Sequence, residues 1–149
     1  MNLYNVTSSV NGIVFKFTDD DLSNFNQTLQ ERLDSKIEVY GNNPIVVIED
    51  ISDIIKKKKQ DEAHKAAWQY IYDSGHDQGG LMQFINWKFD SLTSQAAKDK
   101  ISAIETWKDA VMALYFSKKA AIWNNQPYDL DYSSAGVCPF SFTEVMESI

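Results

Sequence analysis

One cysteine, two histidines and no apolar run of membrane length limit what this 149-residue chain can be. Cys138 cannot form an internal disulfide alone, which fits a reducing compartment. His64 and His76, with that one distant cysteine, make neither a Cys/His zinc site nor an H-E-x-x-H helix. No hydrophobic stretch approaches the roughly 20 residues of a membrane span. Basic charge is scarce as well. Fourteen Lys and Arg stand against 21 Asp and Glu, a net charge of −7, which disfavours nonspecific attachment to nucleic acid or anionic membrane. The opening Met1-Asn2-Leu3-Tyr4-Asn5-Val6 lacks the basic and apolar regions of a secretory signal. The glycosylation-like Asn5-Val6-Thr7 and Asn26-Gln27-Thr28 are therefore read as chance matches, and the expected location is a cytoplasm or an assembly made there. No low-complexity linker and no solenoid-length repeat is present.

What is present suits an α+β protein able to bury a core, with a hydrophobic fraction of 44% and a charged fraction of 23%. Residues 1–50 read as a small β-rich unit with one helix. Leu3 to Val10 alternates in part, Asn11-Gly12 is a hairpin dipeptide, and Ile13 to Phe17 is an apolar, β-prone run. Thr18 and Asp19-Asp20-Asp21 open a helix, acidic groups being favoured by its exposed amides and dipole. Leu22, Phe25, Leu29 and Leu33 form that helix's expected buried face. Ile37 to Tyr40 and Ile45 to Ile48 read as two more strands joined by the turn Gly41-Asn42-Asn43-Pro44.

Residues 51–149 read as a helical half of long antiparallel helices with an extended tail, folded with the first part into one domain. From Asp50, a plausible cap, Ile51, Ile54, Ile55, Ala66, Ala67, Tyr70 and Ile71 repeat at helical spacing to about Asp73, and Gly75 is placed to end the helix. The four lysines Lys56 to Lys59 spread around its circumference and read as a solvated face, with Asp53–Lys57 and Asp61–Lys65 as supporting i,i+4 pairs. Ser74 to Gly80 reads as a glycine-rich loop, and Leu81 to Leu92 as a short aromatic helix. Thr93-Ser94 then caps the longest helix. On it Ile101, Ile104, Trp107, Val111 and Leu114 form an apolar stripe at 3–4–3 spacing that must be buried against something.

Motifs for chemistry are weak. Asp19-x-Asp21-x-Ser23 and Asp129-x-Asp131-x-Ser133 resemble the start of a calcium loop. They lack the glycine and the bidentate glutamate that such a loop requires. Cys138 lies beside Pro139 among Val137, Phe140 and Phe142, where a thiol is packed and inert. His76-Asp77 is the most enzyme-like pair, yet adjacent residues rarely orient one another and no G-x-S-x-G motif accompanies it; a polar loop tip is the plainer reading. Gly79-Gly80 lacks the spacing and lysine of a phosphate loop. No catalytic residue, metal ligand or cofactor-binding residue is assigned.

Binding is better supported. Trp68, Trp87, Trp107 and Trp123, with Tyr70, Tyr72, Tyr115 and Phe116, crowd the helical half. Most read as core between three helices, but they face too many directions for one buried face. The expected interface anchors are Trp107, Trp123, Tyr128, Tyr132, Phe140 and Phe142, aromatic residues being enriched at binding hot spots.

Trp107-Lys108-Asp109-Ala110 leads an aromatic helix, and the proline-bearing tail Gln126-Pro127-Tyr128-Asp129-Leu130-Asp131, then Cys138-Pro139-Phe140, follows it. This layout resembles small tail-fibre-associated and tail-assembly proteins of tailed bacteriophages. Those pair a small N-terminal β-rich unit with a Trp-[Arg/Lys]-Asp helix and a short proline-bearing end. The likeness covers about the last third of the chain. It implies a non-catalytic structural or assembly protein, a fibre or baseplate connector or a fibre chaperone, located in the virion tail or the host cytoplasm. Its partners would be other tail proteins or further copies of itself, with no nucleic acid, membrane, small-molecule substrate or cofactor. Trp107, Lys108 and Asp109 carry over as the helix signature, with packing as their only role. Cys138-Pro139 stands where a plainer proline-rich end is usual, a departure that bears on the chaperone subtype. The alternative is an acidic phage- or mobile-element-encoded inhibitor or adaptor docking on a host protein. It requires Asp19 to Asp21, Glu49, Asp50 and Asp53 to gather into one patch. A small enzyme built around His76 and Asp77 is the third possibility.

Overall fold

A computed structural model describes residues 1–149. The chain is α+β, with a small antiparallel sheet at the N-terminus and a mostly helical remainder, 59% helix in all. It divides into two compact units, Met1–Lys57 and Lys58–Ile149. The division expected near residue 50 therefore falls later, inside a helix.

In the first unit β1 (Asn2–Thr7) forms a hairpin with β2 (Val14–Thr18). Three short helices follow, α1 (Asp19–Asn24), α2 (Leu29–Ser35) and α3 (Ile37–Tyr40), and β3 (Ile45–Asp50) then returns along the other side of β1. The strand order is β2-β1-β3, with both pairings antiparallel. Register sets the two faces. Tyr4 lies opposite Phe17 and Ile48, and Val6 opposite Phe15 and Val46, so these side chains share one face. Leu22, Leu29, Leu33 and Tyr40 close over that face and form the unit's core with Tyr4, Val6 and Phe17.

Two expectations fail here. The single helix expected from Thr18 onward is two. Thr18 caps α1 in a capping box with Asp21, but Asn26 turns left-handed at φ 48° and Thr28 caps α2 in a second box with Glu31. The break leaves Phe25 exposed rather than buried. Ile37 to Tyr40 is a helical turn, not a strand. Both sides of β1 are already occupied, and the turn carries Tyr40 inward, its ring 5.2 Å from Phe15 and edge-on. Gly41 ends it at φ 81°, and a Cβ there would stand 1.9 Å from the Ser9 hydroxyl. Gly41→Ala is accordingly expected to destabilise this unit by about 1–3 kcal/mol through strain and the clash, read from urea unfolding.

In the second unit α4 (Ser52–Asp73, beginning in the first unit) and α6 (Gln95–Trp123) are the long helices. Gln60 meets Trp123, His64 meets Tyr115 and Tyr70 meets Trp107, an order that makes them antiparallel. Asp50 accepts the Ser52 amide before α4, and Gly75, at φ 92°, donates to the Tyr72 carbonyl after it. Between them α5 (Gln78–Phe89) begins earlier than expected, because the Asp77 carboxylate accepts the Gly80 amide and draws both glycines into the helix. Ser94 caps α6 by accepting the Ala97 amide. Four of the five stripe positions, Ile101, Ile104, Trp107 and Val111, are buried; Leu114 is half-buried, and Tyr115 and Ile122 continue the row.

The expected extended tail doubles back. Residues 124–141 hold a short 3-10 turn, Ser133–Ala135, and lead into α7 (Phe142–Met146), which Ser141 and Glu144 open with a capping box. Two cores result. Ala63, Ala67 and Ile71 meet Trp107, Val111, Tyr115, Ile122 and Tyr132 in one, and Phe84, Ile101, Ile104 and Val145 form the other. No helix is long and apolar enough to cross a membrane.

Candidate functional site

The surface best built for contact lies on α5. Its inner face is pinned by Phe84, whose ring lies 5.4 Å from His76, 5.3 Å from Phe142 and 5.9 Å from Trp87. At the first turn Phe142 packs so closely that a Cβ on Gly80 would come within 3.3 Å of it. With that face committed, Met82, Ile85 and Phe89, spaced three and four apart, point outward, and Leu92 follows in the next turn. They are 56%, 40%, 81% and 89% exposed. An apolar row at helical spacing with no cover is the mark of an interaction site.

The row continues onto α4. A groove of about 150 Å³ separates the helices, lined by Trp68, Leu81, Met82, Ile85 and Ile104 and closed by Glu105 and Lys108. Trp68 is held by its indole N–H, which donates to His64 Nε2 at 3.1 Å, and its ring lies 5.7 Å from the exposed Tyr72. Lys88 is the only charged residue in α5, and it pairs with Glu105 at the rim. The outer face of α5 (Gln78, Met82, Gln83, Ile85, Asn86, Phe89) therefore carries no charge on a chain of net −7. Apolar centre and polar rim is the anatomy of a protein interface.

The six expected anchors are not brought together. Trp107 is buried and donates its indole N–H to the Gly136 carbonyl at 2.8 Å. Tyr132 is buried, with its hydroxyl donating to the Ala63 carbonyl at 2.6 Å. Both are corrected to core residues, because the tail folds back and needs anchors of its own. Phe142 and Phe140 are half-buried against the Phe84 core, and Lys100 stands 5.4 Å over the Phe140 ring. Tyr128 is half-buried on the other core. Trp123 alone is exposed, its indole N–H on Gln60 at 2.8 Å. The residues that reasoning from sequence missed as a surface are Met82, Ile85, Phe89 and Leu92. A signal existed. Six apolar residues among the twelve of α5 span more of a helix than one buried face accepts.

The chemically suggestive residues hold structural positions. His76 is no loop tip; it is fully buried, with Nε2 2.7 Å from the Phe140 carbonyl. Asp77 caps α5. Cys138 is half-buried, its thiol donating to the Phe140 carbonyl, and burial pushes its pKa up, away from thiolate. Asp129 accepts the Asp131 amide and pairs with Lys118, while Asp131 accepts the Ser133 amide. These donors hold both carboxyls below the ordinary range. Three acids of the expected negative patch are engaged likewise. Asp19 accepts the Tyr4 hydroxyl and Asn2 amide, both at 2.7 Å. Asp21 completes a capping box, and Asp50 accepts from Ser52.

No family model, curated protein or solved structure matches the chain.

Proposed function

We propose that this chain is a non-catalytic structural or assembly protein of a phage tail, a connector or fibre chaperone that acts through protein contacts. The observation that carries the contact role is the uncovered, uncharged row Met82-Ile85-Phe89-Leu92, continued by Trp68 and Tyr72. Its partner is an apolar surface of another tail protein. On this face charge is confined to the rim, at Asp90, Glu105 and Lys108, and burying the apolar centre releases water from apolar area, the main favourable term in association. The tail assignment rests on the likeness of the Trp107-Lys108-Asp109 helix and proline-bearing end to tail-assembly proteins. The inhibitor reading draws on acids of which Asp19, Asp21 and Asp50 are already committed within the fold.

The test is an immunoblot of purified phage particles and of unassembled tail intermediates from cells expressing this chain. The chain is expected in the tail fraction as a connector, or with unassembled fibre protein as a chaperone, and Phe89→Glu with Met82→Lys is expected to remove it from either. Absence from both fractions, with co-purification on a host protein, would overturn the tail reading.

A further inference from the structure

At the C-terminal end of α4 a cavity of about 250 Å³ opens toward α6 and the returning tail. Tyr70, Asp73 and Ser74 line it from α4 and the turn after it, Trp107 from α6, and Val137 and Cys138 from the tail. All of them belong to the second unit. The aromatic walls are fixed in place. The Tyr70 hydroxyl and the Trp107 indole N–H both donate to the Gly136 carbonyl, at 2.9 and 2.8 Å, and the two rings lie 6.1 Å apart. With both polar tips engaged there, what the rings offer a ligand is π surface and apolar edge.

The electrostatics of the cavity are of one sign. Asp73 is the last residue of a 22-residue helix, where the dipole and the unpaired carbonyls are already negative and a carboxylate is disfavoured. Basic residues suit such an end, yet α4 has none in its last turn. Asp73 is exposed, accepts the Gln69 side-chain amide on Oδ1 at 2.8 Å, and pairs with no lysine or arginine. The Ser74 hydroxyl donates to the Ile71 carbonyl and so presents only lone pairs. No cationic side chain lines the cavity. A local rule broken with no compensation in the fold is expected at functional positions.

We propose that this cavity binds a quaternary ammonium group. The positive charge is drawn by Asp73 and the helix end, and the methyl groups lie against Tyr70 and Trp107, whose rings attract a diffuse cation. The lining suits other cations less well. Calcium or magnesium takes about six oxygen ligands or more, and the lining side chains with acidic or neutral oxygen to spare are Asp73 and Ser74. A primary ammonium brings three N–H donors that each need an acceptor once out of water, and the Gly136 carbonyl is already taken twice. A quaternary ammonium has no donor to satisfy.

Calorimetric titration of the full chain with choline, at constant ionic strength, tests this. Saturable binding is expected, and the Trp107 indole N–H resonance is expected to shift with the same midpoint while that of Trp123 stays in place. The neutral analogue of choline, with a quaternary carbon in place of nitrogen, fills the same space without the charge. It is expected to bind about tenfold more weakly or worse. Asp73→Asn keeps an acceptor for Gln69 and removes a like charge from the helix end, so it is expected to fold as wild type and to weaken choline about tenfold. Asp73→Lys, which tethers a cation at the mouth, is expected to abolish binding. A wild-type chain that shows neither heat nor a Trp107 shift overturns the inference. So does equal binding of the carbon analogue, which makes the cavity merely apolar, or choline affinity unchanged in Asp73→Asn. Heat released with the Trp107 resonance unmoved places the cation elsewhere on this acidic chain and refutes the site as well. None of these residues lies on α5, so a failure here leaves the contact surface proposed above as it stands.

Discussion

Tyr132→Ala is expected to destabilise the second unit by about 3–5 kcal/mol, the range for truncating a large buried aromatic. That corresponds to a fall in melting temperature of roughly 15–30 °C for a unit of this size. The ring is 2% exposed and packs in the core formed by Ala63, Ala67, Ile71, Trp107 and Val111. Its hydroxyl donates to the Ala63 carbonyl across a separation of 69 residues, and Lys118 stands 5.0 Å above the ring while pairing with Asp129. Truncation thus opens a cavity and cuts the tail from the helix beneath it. Tyr132→Phe keeps the ring and loses one hydrogen bond, so about 1 kcal/mol is expected. Were Tyr132 an interface anchor instead, alanine would leave the melting temperature of the free chain unchanged.

The same residue sets an alkaline limb. Burial raises the Tyr132 pKa from 10.0 to about 12. The folded chain therefore holds this proton more tightly than the unfolded chain. By linkage, its contribution is complete below pH 10 and is lost as the pH climbs through about 12. Alkaline unfolding followed by circular dichroism should shift to higher pH in Tyr132→Phe relative to a wild type corrected for their difference at neutral pH.

How much of this was legible depends on the reach of each interaction. Caps are local, so a helix start at Thr18 with the acidic run Asp19 to Asp21, the Ser94 cap and the Gly75 stop are legible from their neighbours. Thr28-x-x-Glu31 and Ser141-x-x-Glu144 were equally local. They passed unnoticed because the apolar spacing of Leu22, Phe25, Leu29 and Leu33 suggested one continuous helix and the tail suggested none. At Ile37 to Tyr40 propensity pointed to a strand, but with both neighbours of β1 in place the segment gains more by turning Tyr40 into the core. The tail could not be read at all. Its anchors are Tyr132 on Ala63, Trp107 on Gly136 and His76 on Phe140, pairings between residues far apart in sequence that no local pattern encodes. The α5 surface lay between these cases, since its excess of apolar residues was visible and its orientation was not. That orientation follows only once Phe142 and His76 have claimed Phe84.

Phe84→Ala is expected to cost about 3–5 kcal/mol, and Phe89→Ala, on the same helix, within about 0.5 kcal/mol. The two side chains are chemically identical and differ only in facing. Phe84 is 2% exposed among Ile101, Ile104 and Val145, with three rings against it; Phe89 is 81% exposed at the last turn of α5. Removing the first leaves a cavity that a close-packed interior cannot fill. Removing the second takes apolar surface from water and so leaves stability unchanged or slightly higher. The pair therefore separates folding from contact in a way that neither variant does alone. Urea unfolding of both, with the midpoint and slope compared against wild type, is the measurement. Should Phe89→Ala lose as much as Phe84→Ala, the outer row of α5 would be part of a core, and the surface proposed for tail assembly would not exist. With the expected asymmetry, any partner lost by Phe89→Glu is lost for want of contact, because the fold it presents is intact.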